Sequence, residues 1–542
     1  MPRFDPLIYR YSSRRNVVYA KKAVACTSVP LGAQIGLDVM KSGGNAVDAA
    51  VAMAAAMPLL EPTGNGLGSD CFALVWIEKD QKLYGLNASG VAPMALSADK
   101  VRELGFDQVP KEGWLPTMVP GAPAGWAALN SRFGTKPLAE LFAPAVAYAR
   151  EGYPVPVNVA RQWSKDSRRI AKAMETDPAP YAYWWKSFMK PDGTPYAAGD
   201  IFRFPDYADT LEELAATGCE SYYRGKLMEQ IVAFSQKTGG YFCREDFETY
   251  HPDWVEPITQ NYRGYTVCEI PPNGHGITVL MALGILDGMT MPENRESAEH
   301  YHKVMEAIKL AFADTKTYVA DPRYMKTRVD QLLSPGYLAA RRALISDKAL
   351  EPKAGDPRCG GTIYLCTADE QGNMVSFIQS NYTTFGSGVA IPGTAISLQN
   401  RGANFSLDPA SDNCLAGGKK SYHTIIPGFL LKDGQAVGPF GVMGAFMQPQ
   451  GQAEVIINTL DYHMNPQEAL DAPRIQWIGG KKLQLEREAG EDIAQQLRAM
   501  GHEVEIIDDR IAMGRGQIIW RCENGTLIAG TEPRCDGAVA AW

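Results

Sequence analysis

"CGGTIYLCTADEQGN", residues 359–373, is the stretch on which the reading of the fold turns. Ile363, Leu365 and Thr367 alternate with Tyr364, Cys366 and Ala368, the two-residue period of a strand. Asp369-Glu370-Gln371-Gly372-Asn373 has turn chemistry, and a second strand begins at Met374. The first strand therefore opens on two glycines and a threonine. Locally this reads as a turn leading into an edge strand. A chemical reading stands beside it. If the Gly361–Thr362 bond is cut, Thr362 becomes an N-terminal residue with a hydroxyl and a free α-amine. An α-amine has an ordinary pKa of about 7.7–8 and can serve as base to its own hydroxyl near neutral pH. The hydroxyl could itself attack the preceding carbonyl, since Gly360 and Gly361 permit the strained backbone that attack requires. The stretch alone leaves both readings open.

Composition narrows the classes. The 542 residues are 45% hydrophobic and 21% charged, ordinary for a globular chain with a large core. The net charge of −8 and the absence of a basic stripe argue against a nucleic-acid partner. No run approaches 18 uninterrupted apolar residues, so no membrane span is expected. The first 22 residues carry arginines but no apolar run of signal-peptide length, so a cytoplasmic location is expected. The ten cysteines are scattered with no CxxC pair, and most read as buried thiols rather than a disulfide framework or zinc cluster. No Walker loop, HExxH or GxSxG is present. Gly64-Asn-Gly66-Leu-Gly68 has the wrong spacing for a dinucleotide fingerprint and reads as a tight turn between helix and strand. His300 and His302 are two apart on a helix and point to different faces, which argues against a paired metal site. No metal or organic cofactor is implied.

Helical periodicity marks 31–41, 46–57, 137–151, 207–217, 225–238 and 299–320. After Thr362 the pattern turns to strands at 362–382, 425–444, 482–486, 503–508, 516–521 and 526–530, punctuated by helices at 450–461, 466–471 and 490–500. Helices flanking long strands suggest layered α/β. The break in texture falls at 361/362, inside one globular unit with no linker-like run.

Longer stretches carry a resemblance. "GLDVMKSGGNAVDAAVAMAAA" (36–56), "YYRGKLMEQIVAFSQKTGGYFCREDFETY" (222–250), "NYRGYTVCEIPPNGHGITVL" (261–280), "TTFGSGVAIPGTAISLQN" (383–400) and "LDAPRIQW" (470–477) occur in the order of the gamma-glutamyltranspeptidases. The chain resembles that family of N-terminal-nucleophile hydrolases over nearly its whole length. The resemblance implies a four-layer αββα fold and a precursor that cuts itself into a large segment, 1–361, and a small one, 362–542, which stay in one fold and could pair as a dimer of heterodimers. Counting back from the Asp-x-x-Gly-Asn turn places the nucleophile on Thr362. The family's oxyanion pair falls on Gly444 and Ala445; alanine suits a backbone donor unless its φ is positive. A hydroxyl supporting the nucleophile falls on Ser380.

The substrate pocket departs from the family pattern. The arginine that grips a donor carboxylate is Ser89, the aspartate that holds the ammonium is Asn404, and the serine pair is His423-Thr424. Tyr382 replaces an asparagine near the nucleophile, and Arg401 stands where a neutral glutamine is common. Asparagine lacks the charge that pairs with ammonium, while Arg401 suits a carboxylate bidentately and His423 could assist. This resembles the family's acylase branch, which includes cephalosporin and glutaryl acylases and an oxamate amidohydrolase, and the short span from Phe405 to His423 resembles members without a lid loop. The implied activity is hydrolysis of amides whose acyl group carries a carboxylate. A true gamma-glutamyl hydrolase or transpeptidase, and an unprocessed homologue that only binds a ligand, are the alternatives.

Overall fold

The computed structural model describes residues 15–352 and 361–542. Two seven-stranded sheets form its centre. The first runs in the order β14 (Ala538–Ala541), β2 (Val24–Thr27), β8 (Gly361–Ala368), β9 (Met374–Tyr382), β3 (Asp70–Ile77), β4 (Lys82–Ala88) and β5 (Asp253–Val255). The second runs β1 (Val18–Ala20), β13 (Leu527–Thr531), β12 (Arg515–Arg521), β11 (Gln435–Met443), β10 (Gly428–Lys432), β7 (Tyr265–Glu269) and β6 (Ile258–Tyr262). The hairpin read from 362–382 is thus the middle of a sheet rather than its edge: β8 pairs antiparallel with both β2 and β9.

The sheets face each other across a close contact. Tyr364 of β8 lies over Gly441 of β11, where an added Cβ would fall 2.3 Å from the ring. Tyr364 Oη also meets Ser376 Oγ of β9 at 2.8 Å. Behind the first sheet lie α1 (Pro30–Lys41) and α2 (Ala46–Leu60); behind the second lie α3 (Ile277–Asp287), α4 (Ala298–Tyr318) and α5 (Met447–Leu460). This is the αββα arrangement. Every residue of α2 is buried, which explains its alanines: they let the helix lie close beneath β8 and β9. Its start is fixed by a capping box in which Asn45 accepts from the Asp48 N–H and Asp48 accepts from the Asn45 N–H.

The helices expected near 46–57, 137–151 and 299–320 are observed at Ala46–Leu60, Leu138–Glu151 and Ala298–Tyr318. Helices at Ala122–Phe133, Val157–Met174 and Ile277–Asp287 were not foreseen. The last is buried along its length but for Asp287 and has no polar face, so it carries no 3.6-residue signal. Among the described cysteines, Cys26, Cys71, Cys219, Cys268, Cys366 and Cys535 are buried and Cys243 is exposed; Cys359 and Gly360 lie outside the described residues. Among the described residues no helix is long and apolar enough to cross a membrane.

Candidate active site

Thr362 sits at an irregularity between β8 and β9. Gly361 pairs with Tyr382 and Ile363 with Gln379, so Ser380 and Asn381 together oppose Thr362. Such a bulge re-aims side chains at the end of a ladder. Here it brings the Thr362 hydroxyl to donate to Ser380 Oγ at 3.1 Å, while Ser380 Oγ accepts from the Tyr382 N–H at 2.7 Å. Thr362 is 1% exposed. The turn Gly64-Asn-Gly66-Leu-Gly68 joins α2 to β3, and its glycines are there for close approach. A Cβ on Gly64 would lie 3.1 Å from the Thr362 carbonyl oxygen, and one on Gly68 would lie 2.4 Å from that of Ser397.

Gly444 and Ala445 lie between the end of β11 and the first turn of α5, where backbone N–H groups and the helix dipole favour negative charge. Gly444 has φ +139° and Ala445 φ +52°. Alanine therefore occupies the left-handed conformation, which disfavours a residue with a Cβ. The loop is braced from behind. Gly514, before β12, packs on Gly444, with its Cα 3.2 Å from where a Gly444 Cβ would be. Arg474 donates to the Met513 and Gly514 carbonyls at 2.9 Å and pairs with Glu532 at 2.8 Å. Two residues after Ala445's neighbour Phe446 comes Gln448, which donates from Nε2 to Thr362 Oγ1 at 3.4 Å.

Arg401 is fully buried in a short 3-10 turn, Arg401–Asn404. Its Nη1 donates to Thr424 Oγ1, and its guanidinium lies 4.6 Å above the Tyr382 ring. Nε and Nη2 have no hydrogen-bond partner among the described residues. Burial lowers the Arg401 pKa to about 10, opposed by nearby Asp70, so the group stays charged at neutral pH. Tyr382, at φ +77°, holds a conformation rare for a bulky residue, and such strain clusters at functional sites. Tyr382, Asn404, Phe446, Lys111 and Lys316 line a cavity of about 500 Å³. The Asn404 side-chain Nδ2 is likewise buried and unpartnered among the described residues.

Three expected pocket residues do other work. His423 does not face the cavity with a free nitrogen: Nε2 lies 3.0 Å from Asp70 Oδ2, and Nδ1 accepts from the Ile425 N–H. Burial and Arg401 hold its pKa well below the usual histidine range, so this is a hydrogen bond from a neutral ring. Thr424 props Arg401 rather than presenting its hydroxyl to the cavity. Ser89 is buried in an amide cluster, donating to Asn87 Oδ1 at 2.7 Å beside Asn273.

Asp70 was not singled out from the sequence. It opens β3 opposite Ser380, accepts from the Gly90 and Gly121 N–H groups, and has its pKa pushed up to about 7 by burial, against the pull of Arg401. Its local sequence, one acid after a glycine turn, carries no signal; only the strand register places it here. His302, apart from His300 as expected, meets His502 at 2.8 Å near Glu306. The Lys309 ammonium bonds Glu306 at 2.7 Å and lies 3.4 Å from His502, supplying the positive charge of that cluster.

The family model for gamma-glutamyltranspeptidase matches residues 32–542. A glutathione hydrolase-like proenzyme (YwrD) of Bacillus subtilis is 33% identical, over 94% of this chain and 96% of its own length. The oxamate amidohydrolase proenzyme of Klebsiella pneumoniae is also 33% identical, over 94% and 97%. Among solved structures, a cephalosporin acylase from Bacillus halodurans is 52% identical with a TM-score of 0.96, covering 100% of this chain and 99% of that one. With the bulged threonine, the glycine-alanine loop and matches over almost its full length, the chain belongs to the gamma-glutamyltranspeptidase family of N-terminal-nucleophile hydrolases.

Proposed function

We propose that the protein is a self-processing amidohydrolase with Thr362 as nucleophile, acting on amides whose acyl group ends in a carboxylate. The observation that carries this reading is Arg401: a fully buried guanidinium, with Nε and Nη2 unpartnered among the described residues, stacked behind Tyr382, which lines the cavity. Buried donors of this kind call for an anion, and a carboxylate takes two of them at once. Asn404 carries no charge to receive an ammonium, and the acid that lines the cavity, Glu112, is paired with Arg169 at 2.8 Å.

In maturation the Thr362 hydroxyl attacks the Gly361 carbonyl and the C–N bond breaks, giving an ester. Water cleaves the ester, leaving segments 1–361 and 362–542. In turnover Thr362 Oγ attacks the substrate amide, and its α-amine takes the hydroxyl proton and passes it to the leaving amine. The N–H groups of Gly444 and Ala445 would hold the oxyanion, each worth about 3–4 kcal/mol. Water then releases the acid. Ser380 orients the hydroxyl. Relatives named as a cephalosporin acylase and an oxamate amidohydrolase agree with this class; one named glutathione hydrolase-like favours a gamma-glutamyl donor instead.

Denaturing intact-mass analysis of the purified protein tests the first half. Two fragments, the smaller starting at Thr362, are expected, with a single uncut chain for Thr362→Ala; normal fragments from that variant would refute the assignment. Glutaryl-, succinyl- and gamma-glutamyl-anilides test the second half. The first two should exceed the third by about 10- to 100-fold in kcat/KM, the cost of desolvating an ammonium beside Asn404 with no charged partner. A preference for the gamma-glutamyl anilide would favour the glutathione-type reading, and an uncut, inactive wild type the ligand-binding one.

A further inference from the structure

Gln448 touches the nucleophile, and no part of the scheme above uses it. It is the second residue of α5 and is fully buried. Its Oε1 accepts from the Ile426 N–H at 3.0 Å, which fixes the amide so that the NH₂ end faces Thr362. Nε2 then lies 3.4 Å from Thr362 Oγ1, while the Gln448 backbone N–H donates to the Ala445 carbonyl at 3.1 Å. The side chain is therefore tied both to the oxyanion loop and to the reacting oxygen. With the hydroxyl hydrogen directed at Ser380 Oγ, the N–H of Gln448 meets a lone pair of Oγ.

We infer that Gln448 is a further catalytic residue, which donates to Thr362 Oγ while that oxygen carries charge. The inference rests on Thr362 being the nucleophile. Oγ gains charge in two kinds of step. It does so when its proton leaves during attack. It does so again when water has added to the ester carbonyl, the tetrahedral intermediate collapses, and the C–Oγ bond breaks with its electron pair left on Oγ, which then takes up a proton. A fixed neutral donor lowers both barriers without competing for that proton. The donor does not depend on the substrate, so it serves self-cleavage and turnover alike.

Self-cleavage of the full chain is the cleanest readout, because it needs no substrate. Wild type, Gln448→Met and Gln448→Glu are followed by intact mass at several pH values from about 5 to 8, alongside their melting temperatures. Methionine removes both ends of the amide. Glutamate keeps the acceptor for Ile426 but, once ionised, presents no donor to Oγ. Both variants are expected to release the Thr362 fragment about 10- to 100-fold more slowly near neutral pH. The glutamate variant should recover towards wild type at the acid end, where a protonated carboxyl again donates. Hydroxylamine, a stronger nucleophile than water, should trap the slowed ester as a Gly361 hydroxamate. Maturation of Gln448→Met within threefold of wild type would overturn the inference. So would a Gln448→Glu rate that follows the wild-type pH profile, and this holds even if the methionine variant fails to fold. A wild-type fragment beginning elsewhere than Thr362 would instead remove the nucleophile itself.

Discussion

At the scale of single residues, Ala445 is the clearest conflict between local preference and function. Its φ of +52° disfavours any residue with a Cβ, by roughly 1–2 kcal/mol. Only its N–H is required of it in the proposed chemistry. Ala445→Gly is therefore expected to keep activity and to raise the unfolding free energy by about 1 kcal/mol, measured by denaturant titration. A loss of stability would mean that the methyl group packs better than the backbone suffers. Residue identity also shows where the sequence was legible and where it was not. Thr362, Ser380 and the Gly444-Ala445 pair stand in motifs long enough to be located by position. His423 and Thr424 belong to an equally legible segment, yet their side chains serve Asp70 and Arg401. Which way a buried side chain turns depends on partners hundreds of positions away, such as Asp70 for His423, and no local pattern carries that.

At the scale of elements, the β8–β9 hairpin is held at its turn by α2. Asp369 accepts from the Asn373 N–H at 2.9 Å, from Asn373 Nδ2 at 3.0 Å and from the Ala46 N–H at 2.9 Å, while Thr367 Oγ1 donates to the Ala46 carbonyl at 2.7 Å. The Asp-x-x-Gly-Asn turn is thus also part of the N-terminal cap of α2, satisfying a backbone donor that the helix cannot. Asp369→Ala leaves these donors unpaired in a buried setting and is expected to lower stability by about 1–3 kcal/mol, as read from the denaturation midpoint at unchanged slope. Thr362 lies at the far end of the strand, so cleavage should still occur in the folded fraction. The hairpin was readable because alternation and turn chemistry agree. Helix α3 was not, because uniform burial erases the periodicity that announces a helix.

At the scale of the whole molecule, the segments 1–361 and 362–542 of the proposed cut are interleaved rather than apposed. In the first sheet β2 of the large segment lies between β14 and β8 of the small one, and β3 pairs with β9; in the second, β1 pairs with β13 and β7 with β10. Pulling the segments apart would break the β14–β2, β2–β8, β9–β3, β1–β13 and β10–β7 borders together. The cut protein is expected to elute as one species and to unfold in a single transition seen alike by tryptophan fluorescence and far-UV circular dichroism. Two separated transitions would show that the segments hold independent cores. The layered architecture was legible from the run of helices and strands, but this interleaving was not, since strand order is set by long-range pairing. The brace behind Gly444 has a consequence in time. A ribosome delivers Thr362 and its glycine well before it delivers Arg474, Gly514 and Glu532, the parts that hold the Gly444-Ala445 loop in place. With Thr362 as the proposed nucleophile, a nascent chain would carry its own blade unassembled, and the first peptide bond it could sever would be in a molecule whose synthesis has already passed the point of needing to stay in one piece.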